Sequence, residues 1–145
     1  MLSITTQSAE IHPHFDYILR FDGGSRGNPG ISGCGAVIYY NNEEIWADHL
    51  FISEKQTNNY AEYMGLIIGL EQALKLNIKH ILVEGDSLLV INQLTNKYKC
   101  KSENLLELNK TAHELSKQFQ TISYNHILRN KNKRADKLSN IAMNL

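Results

Sequence analysis

The chain has 145 residues, 42% of them hydrophobic, which is enough for one globular domain with a real core. No apolar run approaches the roughly 20 residues of a membrane helix, and the polar N-terminus lacks a secretory signal pattern, so no membrane partner is expected and a cytoplasmic location is. Net charge is zero but unevenly laid out: residues 1–96 hold 5 basic and 11 acidic side chains, and residues 97–145 hold 10 basic and 4 acidic, which suits a cation-gathering site beside a polyanion-facing surface.

Residues 1–13 read as a flexible tail and residues 14–145 as a single domain. Tyr17 to Phe21 predicts a first strand. Asp22 ends it and opens a loop with four glycines and one proline in eight positions, Gly23 to Gly30. Gly33 to Tyr40 predicts a second strand and Glu43 to Ile52 a third, with Asn41-Asn42 as the turn. Short connections make the three antiparallel neighbours. Thr57-Asn58-Asn59 offers helix caps, and Tyr60, Tyr63, Met64, Leu66, Ile67, Leu70 and Leu74 mark a helix apolar nearly all round, hence buried. His80 to Glu84 is a nearly continuous apolar run, as an interior parallel strand requires. A short helix follows from Leu88 to Leu94, then a polar link from Asn96 to Ser102. A helix from Glu103 to Phe119, a strand from Thr121 to Leu128, a basic loop and a last helix from Arg134 to Asn144 complete an α/β domain on one mixed sheet. Cys34 and Cys100 show no C-x-x-C pattern and read as reduced thiols.

Four carboxylates fall at element ends. Asp22 and Asp86 each follow a strand, and parallel neighbours would release both at the same edge, where open α/β sheets place ligands. Glu62 lies in the first turn of the long helix and Asp136 in the first turn of the last. Each also has a plain alternative: Asp22 could be an ordinary turn residue, and the other three could serve helix starts. Asn59 and Glu62 could form a capping box, Asp86 could cap the short helix, and Asp136 could serve a helix dipole.

Four segments, taken in order, resemble type 1 ribonucleases H: Phe21-Asp22-Gly23-Gly24-Ser25-Arg26-Gly27-Asn28-Pro29-Gly30, Thr57-Asn58-Asn59-Tyr60-Ala61-Glu62, Glu84-Gly85-Asp86-Ser87 and Asn132-Lys133-Arg134-Ala135-Asp136-Lys137-Leu138. The resemblance runs from about Phe15 to Met143. It implies an RNase H-like fold, a five-stranded mixed sheet whose first three strands are antiparallel and the rest parallel. It implies hydrolysis of the RNA strand of an RNA/DNA hybrid, leaving 5′-phosphate and 3′-hydroxyl ends. It also implies that Asp22, Glu62, Asp86 and Asp136 are the catalytic and metal-binding tetrad for two Mg²⁺ ions, with Mn²⁺ as a substitute. Mg²⁺ is a hard ion that prefers oxygen, and two such ions about 4 Å apart can activate water and stabilise the leaving oxygen. In that scheme Asp22 bridges both ions, Asp136 completes one, and Glu62 and Asp86 hold the other.

By the same resemblance, Gly23, Gly24, Asn28, Asn58 and Asn59 face the hybrid, and Thr57 and Lys55 hold a phosphate of the DNA strand. Telling RNA from DNA requires contact with the 2′-hydroxyl, which amide side chains can make. The short link with Lys97, Lys99 and Lys101 leaves no room for the long basic handle of many relatives. Many relatives also carry a histidine in a glycine-bearing loop before the last acid. Here His126 continues the alternation Ile122, Tyr124, His126, Leu128, so the loop is short and Arg129 is the alternative auxiliary group. A free-standing monomer without an obligate protein partner is expected. The rival readings are a non-catalytic hybrid-binding module and a resolvase-like nuclease on the same fold.

Overall fold

A computed structural model describes residues 4–6 and 14–145. Its strands are β1 (Ile4–Thr6), β2 (Tyr17–Arg26), β3 (Gly30–Tyr40), β4 (Glu43–Gln56), β5 (His80–Gly85) and β6 (Thr121–His126). Its helices are α1 (Asn58–Lys75), α2 (Leu88–Leu94), α3 (Glu103–Ser116) and α4 (Lys133–Met143), with a single 3₁₀ turn at Arg129–Lys131. The sheet order is β1-β6-β5-β2-β3-β4. β2, β3 and β4 are antiparallel neighbours, whereas β5 pairs parallel with both β2 and β6. The five-stranded mixed sheet read from the sequence is therefore present. The expected tail falls mostly outside the described residues, but Ile4–Thr6 adds a sixth strand, parallel to β6.

The sheet carries helices on both faces. Leu19, Phe21, Ile81, Val83, Ile122 and Tyr124 meet Leu66 and Leu70 of α1 and Leu105 and Ala112 of α3 in one buried cluster. Truncating Leu66 or Leu70 to alanine in such packing costs about 2–5 kcal/mol. The other face is covered by α4, whose Leu138 and Ala142 lie over Gly35 and Gly33.

One expected boundary is overturned. Asp22 does not end its strand: β2 continues to Arg26, and Asp22 pairs with Gly35 of β3. What ends near Asp22 is the parallel pairing with β5, at Phe21 opposite Gly85. Gly23 and, on β3, Gly35 serve close packing rather than a loop. A Cβ on Gly23 would stand 2.2 Å from the backbone carbon of Ala61, and one on Gly35 would stand 2.4 Å from Leu138 Cβ. The chain reverses only at Gly27 and Asn28, both at positive φ (110° and 29°). Smaller shifts have local causes. β6 makes its last bond to β5 from Ile127 N to Gly85 O before the chain enters the 3₁₀ turn, and α3 stops at Ser116 because Phe119 turns into the core.

Candidate active site

α1 starts at a true cap: Thr57 Oγ1 accepts from Tyr60 N at 3.2 Å. Glu62 is thus in the second turn of α1, not the first, and the first turn holds no acid. The Asn59–Glu62 capping box is not the device used. α2 is likewise capped by Ser87, whose Oγ accepts from Val90 N, so Asp86 is not spent as a cap. Asp136 does occupy the first turn of α4.

These placements bring the acids together. One carboxylate oxygen each from Asp22, Glu62 and Asp86 lie within 4.8 Å of one another. Asp136 lines the same cleft, of about 400 Å³, and stands against Asp22. Asp22 therefore adjoins the other three acids. Burial, the Asp86 charge and the nearby Asp136 carboxyl push the Asp22 carboxyl up to about 8. Burial, followed by the charges of Asp22 and Asp86, holds Glu62 well above the usual carboxylate range. Like charges at such distances cannot all ionise without a counter-charge. Glu62 Oε1 is buried without a hydrogen-bond partner. A divalent cation fits this oxygen-only donor set, supplying both the missing charge and a partner for that oxygen. The neighbouring Cys34 thiol is buried and pushed up to about 12, so it remains protonated.

The other predicted residues divide between the cleft and its approach. Gly23, Gly24, Asn58 and Arg129 line the cleft. Asn58 Oδ1 accepts from Ser25 N at 2.7 Å, and Asn28 Oδ1 accepts from Asn58 N at 2.9 Å. Both asparagines so use their carbonyl oxygens to fasten the β2–β3 turn to α1, which leaves the amide N–H groups as donors. Asn59 and Lys55 are exposed beside them, and Thr57 also accepts from Asn104 Nδ2 at 3.4 Å. His126 is on β6 as expected. Its Nε2 lies 3.3 Å from the Asp86 backbone carbonyl, and it does not line the cleft. Arg129 does, with Nη2 3.9 Å from Asp136 Oδ1. Sequence reasoning missed Arg26, Asn140 and Met143, which also line the cleft. The signal was available for two of them: Asn140 and Met143 follow Asp136 by four and seven residues, on the same helical face.

The family profile described as "Reverse transcriptase-like" matches residues 20–142. The solved N-terminal RNase H domain of Rv2228c from Mycobacterium tuberculosis is 41% identical over 88% of this chain and 93% of that one, with a TM-score of 0.85. The RNase H1 of Halobacterium salinarum is 36% identical over 88% of this chain and 97% of that one, at 0.84.

The chain belongs to the type 1 ribonuclease H family.

LC11-RNase H1, solved in complex with an RNA/DNA hybrid, is another relative, 34% identical over 88% of this chain and 96% of that one, with a TM-score of 0.82. Among full-length relatives, the match to the bifunctional protein Rv2228c spans 35% of that protein, so this chain corresponds to its ribonuclease H portion alone. Among the described residues, no helix is long and apolar enough to cross a membrane.

Proposed function

We propose that the protein is a ribonuclease H that cuts the RNA strand of RNA/DNA hybrids, leaving 5′-phosphate and 3′-hydroxyl ends. The observation that carries this reading is the position of Asp22, grouped with Glu62 and Asp86 and standing against Asp136. Four carboxylates gathered around Asp22 would suit two Mg²⁺ ions, with Asp22 as the ligand they would share. Bound there, such ions supply an activated water and stabilise the leaving 3′ oxygen.

The chain's own residues do the rest. Asp22 is held rigidly, because β2 is paired on both sides up to Phe21 and with β3 beyond it. Glu62 and Asp86 enter from α1 and from the end of β5, and Asp136 from α4. Rigid elements keep the ligand set ordered before substrate arrives, which lowers the cost of reaching the reactive arrangement. Asn28, Asn58 and Asn59 present amide groups suited to a ribose 2′-hydroxyl, and Thr57 and Lys55 present groups suited to a phosphate of the DNA strand. Arg129 places a positive charge at the Asp136 side of the cleft. The chain works as a monomer in this reading.

Asp22→Asn tests the proposal on labelled RNA/DNA, RNA/RNA and DNA/DNA duplexes, with Mg²⁺, Mn²⁺ or EDTA. The expected result is cleavage of RNA in the hybrid alone, abolished by the substitution and by EDTA. Full activity of Asp22→Asn at saturating Mg²⁺ overturns the assignment. Binding without cutting by the unaltered protein makes it a hybrid-binding module instead.

A further inference from the structure

We infer that Arg26 anchors a phosphodiester of the cleaved strand, at a phosphate position beyond the scissile one. The inference rests on the acidic cleft taking the scissile phosphate, as proposed above. Side chains alternate across a strand, so Asp22 and Arg26, four residues apart on β2, share a face. At the rise of a strand their Cα atoms are about 13 Å apart. Both line the same cleft, and the α4 end lies along it between them: Met143 Cε packs over Gly24, 3.2 Å from where a Cβ would stand.

The chain has four arginines, at positions 20, 26, 129 and 134. Three of them face a carboxylate: Arg20 pairs with Glu84, Arg129 approaches Asp136, and Arg134 pairs with Glu44. Among the described residues Arg26 has no such partner. It is held instead by a neutral group, since Arg26 Nη1 donates to Asn144 Oδ1 at 2.5 Å. Asn144 is the C-cap residue of α4. An amide partner restrains the guanidinium without cancelling its charge. The result is an oriented, uncompensated cation at the rim of a cleft whose floor is acidic. Its planar fork matches two phosphate oxygens. An isolated anion has little reason to approach four acids. A polyanionic strand that already has one phosphate in the cleft brings the next one to Arg26. The position therefore selects a nucleic acid strand, not a free phosphate.

The test is Arg26→Gln, with Asn144→Ala as a milder variant that leaves the arginine in place. Cleavage of a fluorescent hybrid is followed between 50 and 200 mM KCl, and binding is followed by anisotropy in EDTA. Arg26→Gln is expected to raise KM about three- to tenfold at 50 mM KCl while kcat stays within about twofold, as loss of ground-state and transition-state binding alike requires. The slope of log affinity against log salt should become shallower by about 0.9, the value for one lost phosphate contact. Asn144→Ala should shift KM in the same direction by less, and Arg26→Lys should recover part of the loss. A single neutral methylphosphonate near the cut in the RNA strand should weaken the unaltered protein and leave Arg26→Gln nearly unchanged. An unaltered salt slope and KM in Arg26→Gln overturns the inference, as does a loss confined to kcat. If the unaltered protein binds hybrid without cleaving it, the catalytic reading fails, and the salt slopes in EDTA still decide the role of Arg26.

Discussion

Asn132 donates from its side-chain Nδ2 to the backbone carbonyl of Phe21 at 2.9 Å, fastening the start of α4 to the residue before Asp22. Asn132 is 1% exposed. Its own carbonyl accepts from Asp136 N at 3.1 Å, and its N–H donates to Arg129 O at 3.0 Å. One buried residue so ties β2, the basic loop and α4 at the point where Asp22 and Asp136 meet. Asn132→Ala removes this tie between β2 and α4, at a cost of about 0.5–1.5 kcal/mol for the lost hydrogen bond. The expected outcome is a lower melting temperature and, beyond it, a Mg²⁺ requirement raised several-fold. A core variant far from the cleft, such as Ile81→Val, should lower the melting temperature without moving the Mg²⁺ midpoint.

Gly23 and Gly24 are neighbours with different tolerances. A Cβ on Gly23 would meet the Ala61 carbonyl carbon at 2.2 Å and Glu62 N at 2.4 Å, all backbone. A Cβ on Gly24 would meet the mobile end of Met143 at 3.2 Å. Gly23→Ala can be accommodated only by pushing α1 off the sheet, and α1 carries Glu62. It should destabilise the fold by about 1–3 kcal/mol or more and cut cleavage sharply. Gly24→Ala should fold nearly as well as the unaltered protein. Thermal unfolding of the two variants in EDTA checks the contrast.

The raised carboxyls make metal-free stability depend on pH in a definite direction. In the unfolded chain Asp22 ionises near 3.8, whereas in the folded chain it holds its proton up to about 8. Between those values the folded state binds more protons, so its stability falls as pH rises. Glu62 shifts the same way. In EDTA the melting temperature should drop by about 5 °C or more from pH 5 to pH 8. Mg²⁺ binds the ionised cluster, so its stabilising effect should be largest at the alkaline end. Scanning calorimetry at both pH values, with and without Mg²⁺, checks both signs. A flat profile in EDTA contradicts the shared-charge picture of the cluster.

The architecture was legible because its signals are local. The apolar run at His80 to Glu84, the all-round apolar helix around Leu66 and the turn asparagines each act over a few residues. The four acids were legible as motifs, yet their local settings were not. Asp22 was read as the end of a strand because Gly-Gly-Ser-Arg-Gly looks like a loop. Gly23 is in fact demanded by the Ala61 backbone of α1 packed against it, a long-range cause no window of sequence contains, and only Gly27 belongs to the turn. Glu62 was read one turn early because three cap-forming residues stand in a row, and Thr57 is the one whose hydroxyl faces Tyr60 N. Arg26 was visible within its motif, but its lack of an acidic partner is a property of the folded chain.

Arg129 and His126 separate on geometry. Arg129 lines the cleft with its guanidinium 3.9 Å from Asp136, and its side chain is 81% exposed, so it can swing toward a bound phosphate or a departing product. His126 sits at the end of β6 with its ring nitrogen against the Asp86 backbone carbonyl, outside the cleft. In the proposed reaction a cation there would stand beside the charge developing on the phosphate and lower the barrier. A ring on a backbone carbonyl only supports the strand end that carries Asp86. Arg129→Ala should therefore lower kcat about 10- to 100-fold with little change in melting temperature. His126→Ala should leave kcat within about threefold and cost about 1 kcal/mol of stability at most. Single-turnover cleavage of a hybrid at saturating Mg²⁺ reads the difference directly, because it excludes product release from the comparison. If His126→Ala proves the slower of the two, the histidine reaches the reacting groups in the substrate complex, and the short loop before Asp136 is more mobile than its 3₁₀ turn suggests.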